Sequence, residues 1–232
     1  MNPESNVVDL AHLNPKHSAS SVDPTLAEAF QLVVAYLGRN DDLTESDKAN
    51  YADTAIRAAK AFASLTKTRT EIHASLTEIL ATGFPAEDSE DAPGPVSQGP
   101  IGAHSLCPHH LLQVEYEAYV AYMPKMGGNV LGLSKLARVT EELAHRPVLQ
   151  EQLARDIADC LHGGNKKTGL PGIESEGSAV MLVGRHNCMS CRGVRSNALT
   201  QVLEIRGVFR NPGMEAKFIQ AVTELRTSNL RR

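Results

Sequence analysis

Tryptophan is absent from these 232 residues, and five Tyr and five Phe make up the whole aromatic content. The hydrophobic fraction is nevertheless 42%, enough for a chain of this length to bury a core in one or two domains. No apolar run approaches the roughly 18 residues that a membrane span needs. The polar, acidic start Met1–Asn6 lacks the basic-then-apolar order of a secretory signal. A cytoplasmic protein with no membrane partner is therefore expected. Cysteine is scarce: Cys107, Cys160, Cys188 and Cys191 are too few for a disulfide framework, and in a reducing compartment they read as core, metal or catalytic residues. Positive charge is not in excess either. A net charge of −4 argues against a nucleic-acid partner while leaving room for a local basic pocket that takes an anionic small molecule.

What is present divides the chain into four stretches. Residues 1–22 are rich in Ser, Asn and Pro without periodicity and read as a flexible tail. Residues 23–83 form an N-terminal helical region. Asp23-Pro24 caps a helix carrying Leu26, Phe30, Val33, Val34 and Leu37 and closed by Gly38. A capping box at Thr44–Asp47 opens a second helix that runs through Ala52, Ile56 and Ala63, and a third carries Ile72 and Leu76. Residues 84–103, rich in Pro, Gly, Ser and acids, read as a linker whose end becomes a strand. Residues 104–232 read as the C-terminal domain. There Leu112–Tyr122 alternates as a strand, with Gln113, Glu115, Glu117 and Tyr119 on a wet or interface face. Helices follow over Ser134–Ala144 and from Pro147, then strands around Ala179–Val183 and Ala198–Ile205, then a helix from Pro212. Helices grouped between strand pairs predict an antiparallel sheet in an α+β fold.

The densest chemistry lies in Cys107-Pro108-His109-His110 and His186-Asn187-Cys188-Met189-Ser190-Cys191. Thiolates with imidazole are the donors zinc prefers. Two readings stand open at this point. Cys107, His110, Cys188 and Cys191 would close a four-ligand structural site, whereas three protein ligands and a water would make an open, hydrolytic one. The neighbouring imidazoles His109 and His186 favour the open form. Cys160 sits on an apolar helical stripe and reads as core. Helical spacing places Ser134, Lys135 and Arg138 on one arc at a helix start, opposite Leu133, Leu136, Val139 and Leu143, an arrangement that can hold a phosphate. Arg57 and Lys60 share a helical face, Glu151 beside Gln150 suits the N–H edge of a guanine, and Arg192 adds a cation after Cys191.

These segments resemble the GTP cyclohydrolase I family. Its C-E-H-H motif appears as Cys107 to His110, its V-A-Y-x-P strand end as Val120 to Pro124, and its G-L-S-K-x-x-R as Gly132 to Arg138. R-P-x-x-Q-E-x-L is Arg146 to Leu153, H-x-C-M-x-x-R-G-V is His186 to Val194, and the T-P-x-R-x-A-K helix is Thr54 to Lys60. Pro108 stands in place of the family's Glu, Ala55 in place of a Pro, and Glu115-Tyr116 where many members have a small residue and Gly.

The resemblance implies a tunnelling fold: a four-stranded antiparallel sheet with two helices packed on one face, preceded by a helical arm. It implies that Cys107, His110 and Cys188 hold Zn²⁺, that His109, His186 and Ser134 are catalytic, and that Gln150 and Glu151 recognise guanine. Lys135, Arg138, Arg192, Arg57 and Lys60 would bind the triphosphate. The implied reaction opens the imidazole ring of GTP at C8, releases formate and yields 7,8-dihydroneopterin triphosphate, a precursor of folates, biopterin or deazapurines. The implied partner is a second copy of the chain, in homodecamers with active sites at subunit interfaces. Two other functions compete: a tunnelling-fold relative acting on another purine or pterin, and a non-catalytic zinc module using Cys191.

Overall fold

A computed structural model describes residues 22–38, 44–85 and 94–229. The tail expected over residues 1–22 lies outside them except for Val22. The described residues divide into two compact units between Ser64 and Leu65, so the helical region expected over 23–83 is shared between them.

In the first unit, helix α1 (Pro24–Leu37) begins where the Asp23 carboxylate accepts from the Thr25 and Leu26 amides at 2.8 and 3.3 Å. The Thr44–Asp47 capping box starts α2 (Glu45–Tyr51), and α3 spans Thr54–Ser64. One continuous helix was expected here. The break has a local cause: the Ala52 amide bonds back three residues to Ala49, and the Thr54 hydroxyl takes the Asn50 carbonyl. The chain tightens and restarts. Phe30 and Phe62 meet edge-on at 5.8 Å, holding α1 to α3.

The second unit starts with α4 (Arg69–Leu80), opened by a Thr68–Glu71 capping box. Its Ile72 and Leu76 are buried in the main core. Strand β1 (Gly83–Pro85) pairs with β4 (Asn129–Leu131). The principal sheet has the order β2-β3-β5-β6, from β2 (Val96–Leu106), β3 (Gln113–Pro124), β5 (Ser175–His186) and β6 (Thr200–Gly207). Every pairing is antiparallel. Strand β2 thus begins inside the stretch read as linker. Its register slips between Gln98 and Ile101, where Pro100 has no amide hydrogen to give to the ladder.

Helices α5 (Ser134–Ala144) and α6 (Gln150–Cys160) pack on one face of the sheet, as expected. Leu136, Val139, Leu143, Leu153 and Ile157 meet Val114, Ala118, Val120 and Tyr122 there. Ser178 and Ser105 donate to the Ala158 and Arg146 carbonyls at 2.6 Å, fixing the helix layer to the strands. Leu133 is not part of this layer. It precedes α5 and is 64% exposed.

The other face of β3 departs from the expected wet surface. Glu115 and Glu117 are exposed, but Tyr119 and Ala121 are buried with Phe209 of a 3₁₀ turn and with Phe218 and Val222 of the terminal helix, Pro212–Asn229. The turn brings that helix back across half of the sheet. The one-turn helix α7 (Asn187–Ser190) follows β5 directly, so the terminal helix is α8.

Candidate metal centre

The link from β2 to β3 doubles back at Cys107. Its carbonyl accepts from the His110 and Leu111 amides at 3.3 and 2.8 Å, and its own amide donates to the Leu112 carbonyl at 2.8 Å. Leu111 takes a φ of 53° to complete the reversal. Pro108 suits such a turn because its ring fixes φ and it owes no hydrogen bond. The turn presents Cys107 Sγ and His110 Nδ1 3.8 Å apart. Cys188, on α7, brings the third donor, and the ligand atoms of Cys107, His110 and Cys188 all lie within 4.8 Å of one another. A tetrahedral zinc site needs donor separations of roughly 3.5–3.8 Å, a small closure from this arrangement. Burial and a hydrogen bond with Cys107 push the Cys188 thiol above its ordinary range, while the nearby Arg192 guanidinium works the other way.

The two remaining cysteines separate from this group. Cys191 is exposed and its thiol donates to the Asn187 carbonyl at 2.8 Å. Cys160 is wholly buried in the core, where desolvation pushes its thiol up to about 12.

A cavity of about 460 Å³ opens beside the donor group, lined by Cys107, His109, Gln150, Glu151, His186 and Cys188 among others. His109 is exposed at its edge, with its ring edge-on to His110 at 6.3 Å. Glu151 is exposed in the first turn of α6.

Gln150 is differently placed from the expectation that it reads a guanine. It is 5% exposed, and its amide is fully engaged within the chain. Nε2 donates to the Leu182 and Thr200 carbonyls at 3.0 and 3.3 Å. Oε1 faces the Thr200 hydroxyl at 2.5 Å and His186 Nε2 at 2.9 Å. Two carbonyls can be satisfied only by the NH₂ end, so the orientation of the amide follows from chemistry. Because Oε1 only accepts, His186 Nε2 carries the hydrogen, and Nδ1 is the nitrogen left for proton transfer. Desolvation lowers the His186 pKa against a smaller opposing effect of Glu151, which favours the neutral ring. Gly184 makes this possible: a Cβ there would come within 2.8 Å of Gln150 Oε1 and 3.1 Å of His186 Nε2.

Among the expected phosphate-binding residues, Ser134 and Arg138 are exposed and Lys135 is half-buried at the start of α5. None of these, nor Arg192, lines the cavity. Arg57 and Lys60 lie on the exposed side of α3 in the first unit. Two residues near the centre escaped the sequence reading. Thr200 had no local signal, being 50 positions from the glutamine it holds. Tyr116 was read as a strand residue and as a departure from the expected motif, and its buried hydroxyl has no hydrogen-bond partner among the described residues.

Comparison with known proteins places these features in a family. The family described as GTP cyclohydrolase I matches residues 27–223. The chain is 34% identical over 168 residues to "GTP cyclohydrolase 1" of Bacillus pumilus (strain SAFR-032), covering 72% of this chain and 80% of that one. It is 36% identical to the Bacillus subtilis (strain 168) protein of the same name over 160 residues, 68% and 76% of the two chains. It is 34% identical to "GTP cyclohydrolase 1 2" of Nostoc sp. (strain PCC 7120 / SAG 25.82 / UTEX 2576) over 201 residues, 86% and 83%. Among solved structures, an archaeosine synthase QueF-Like in the apo form aligns with 19% identity and a TM-score of 0.36, over 50% of this chain and 97% of that one.

Proposed function

The chain belongs to the GTP cyclohydrolase I family, and from that premise we propose that it is a zinc-dependent hydrolase. It opens the GTP imidazole ring at C8, releases formate and forms 7,8-dihydroneopterin triphosphate. The observation that carries this reading is the convergence of Cys107, His110 and Cys188 beside a cavity that also holds His109, His186 and Glu151.

The donor set fits zinc, with two soft thiols and an imidazole on a tight turn and a short helix. Cys107, His110 and Cys188 hold the ion; Cys191, turned toward its own helix, does not. When bound, zinc supplies Lewis acidity to the hydrolytic water. Glu151 accepts from N1–H and the 2-amino group of guanine and seats C8 toward the centre. Gln150 acts through His186 instead of through the base, since its amide has no hydrogen-bonding capacity left. His186 exchanges protons through Nδ1, and His109 is the second proton-transfer group, protonating N7. Ser134 assists the later ribose rearrangement.

Lys135, Arg138, Arg192, Arg57 and Lys60 hold the triphosphate, remote binding energy that orients the reacting carbon. Because the first three do not line the cavity of their own chain, a homo-oligomer, a decamer in this reading, completes the site. Exposed Leu111, Leu149, Val194 and Leu199 are the apolar surface that neighbouring subunits cover. No helix among the described residues is long and apolar enough to cross a membrane, and the enzyme works in the cytoplasm, where GTP is available and thiols stay reduced.

The direct test is incubation of the metal-replete protein with GTP. Formate and a pterin that fluoresces after oxidation are expected, and finding neither would reject the function. Arg138→Ala should weaken GTP binding by roughly ten- to a hundredfold, the loss typical of one hydrogen bond to a charged group. Zinc content should stay the same. A variant with unchanged KM for GTP would remove Arg138 from the triphosphate site.

A further inference from the structure

A second cavity, of about 160 Å³, lies between α4, the link from α5 to α6, α6 itself and the loop at 165–170, all in the second unit. It shares no lining residue with the cavity at the metal centre. Buried Ile72, Leu143 and Leu170 give it an apolar lining, and Arg69, His73 and Arg146 give it a cationic one. The loop side is fixed by hydrogen bonds. Asn165 and Leu170 exchange two backbone bonds at 2.9 and 3.1 Å, and Asn165 Nδ2 donates to Asp159 at 3.1 Å. In that loop Gly169, at a φ of 72°, comes so close to the imidazole that a Cβ on it would lie 3.9 Å from His73 Nδ1.

The polar lining is rich in donors and poor in acceptors. Asp156, the one carboxylate among the described lining residues, has both oxygens engaged: Oδ2 accepts from the Arg146 guanidinium and Oδ1 from Gln152 Nε2 at 2.6 Å. Gln152 Oε1 in turn accepts from Arg155 at 3.3 Å. Arg146 commits Nη2 to Asp156 and Nε to the Leu143 carbonyl, which leaves Nη1 uncommitted. Among the described residues the Arg69 guanidinium has no acceptor or ion-pair partner, and the His73 ring has no hydrogen bond. The charges of Arg146 and Asp156 cancel, so Arg69 leaves the lining with one positive charge in excess. Burial lowers the His73 pKa, Arg69 and Arg146 lower it further, and Asp156 opposes them. The imidazole is therefore neutral near pH 7, with one N–H to give.

We infer that this cavity binds a small tetrahedral oxyanion, of the size and charge of inorganic phosphate or sulfate, held by Arg69, Arg146 and His73. Uncompensated donors beside apolar surface suit a ligand made of acceptors, and a guanidinium fork matches paired oxygens. Size restricts the choice. The cavity is well under the roughly 300 Å³ at which pockets for drug-sized ligands begin, so a second nucleotide does not fit. Asp156 does not oppose the anion, because its charge is spent on fixing Arg146. A bound anion would tie α4 to the α5–α6 link and so stabilise the second unit. The site is separate from the GTP reading, in which none of these residues has a part.

Equilibrium dialysis of the full chain against radiolabelled sulfate, with chloride holding the ionic strength constant, tests the site. Inorganic phosphate should displace the label. Arg69→Gln should weaken one sulfate site per chain roughly tenfold, the loss of one charge-assisted contact. Its melting temperature in chloride should be no lower than wild type, because the side chain has no partner to lose. Thr168→Glu sets a carboxylate on the exposed rim beside the cations. It should abolish that sulfate site and raise the melting temperature in chloride, having supplied the missing acceptor. Arg138→Ala, which alters the triphosphate residues, should keep the site. A wild-type protein that binds no sulfate overturns the inference, as do Arg69→Gln and Thr168→Glu proteins that bind it like wild type. Loss confined to Arg138→Ala overturns it too, by placing the anion at the triphosphate residues.

Discussion

His186→Ala should lower GTP turnover by about 10²- to 10⁴-fold, the range typical of losing one general acid–base group, while zinc stays bound. The two outcomes are separable because His186 contributes no atom to the Cys107–His110–Cys188 donor group. The fold should tolerate the change. Removing the imidazole takes one of two donors from Gln150 Oε1, and the Thr200 hydroxyl at 2.5 Å remains, so no buried acceptor is orphaned. Gln150→Leu supplies the companion measurement. It frees His186 to adopt either tautomer and should reduce turnover less than His186→Ala does. In the double variant the two losses should not add, because the glutamine acts on chemistry only through the histidine. Zinc content and turnover measured on the same preparations decide the matter. A zinc-free His186→Ala protein would make His186 part of the metal site and remove it from proton transfer.

The fold was legible wherever its cause is local. Asp23-Pro24 and the boxes at Thr44–Asp47 and Thr68–Glu71 start helices because side chains within three residues satisfy the first amides. The order of the four principal strands and of the helices packed on them followed from periodicity and breaker residues, whereas the break between α2 and α3, the short β1–β4 pair and the one-turn α7 did not. Contacts set by chain return were not legible. Tyr119 shares its face of β3 with the exposed Glu115 and Glu117 and is buried because a 3₁₀ turn and a helix nearly a hundred residues later cross that face. In the site, metal donors three residues apart announce themselves, since one turn of backbone suffices to bring them together. Gln150 was assigned to guanine from its motif, and only the three-dimensional meeting of Leu182, Thr200 and His186 shows its amide to be occupied. Tyr116 carries no spacing signal at all. An alternating pattern reports where a phenol ring goes and is blind to whether its hydroxyl finds a partner.

Cys107→Ser and Cys191→Ser should separate completely. Cys107 is 6% exposed at the head of the turn, with its sulfur 3.8 Å from His110 Nδ1. Exchanging a soft thiolate for a hydroxyl that stays protonated removes one of three anchors. Metal should be lost on dialysis and turnover should fall to background. Stability should report the same loss. A ligand that binds only the folded state adds about 4 kcal/mol when present at a thousand times its dissociation constant. Chelator should therefore lower the melting temperature of wild type and leave that of Cys107→Ser unmoved. Cys191 lies outside the donor group, exposed, and bonded to the Asn187 carbonyl. Its serine variant should keep one zinc per chain, keep the chelator-sensitive melting shift, and retain turnover within about twofold, since the hydroxyl can make the same bond. The distinction bears on mechanism as well as on ligand count. A third thiol, as fourth ligand, would close the coordination sphere and leave no position for water. If Cys191→Ser lost its metal, Cys107, His110 and Cys188 would belong to a closed structural site, and ring opening at C8 would have no hydrolytic centre in this chain.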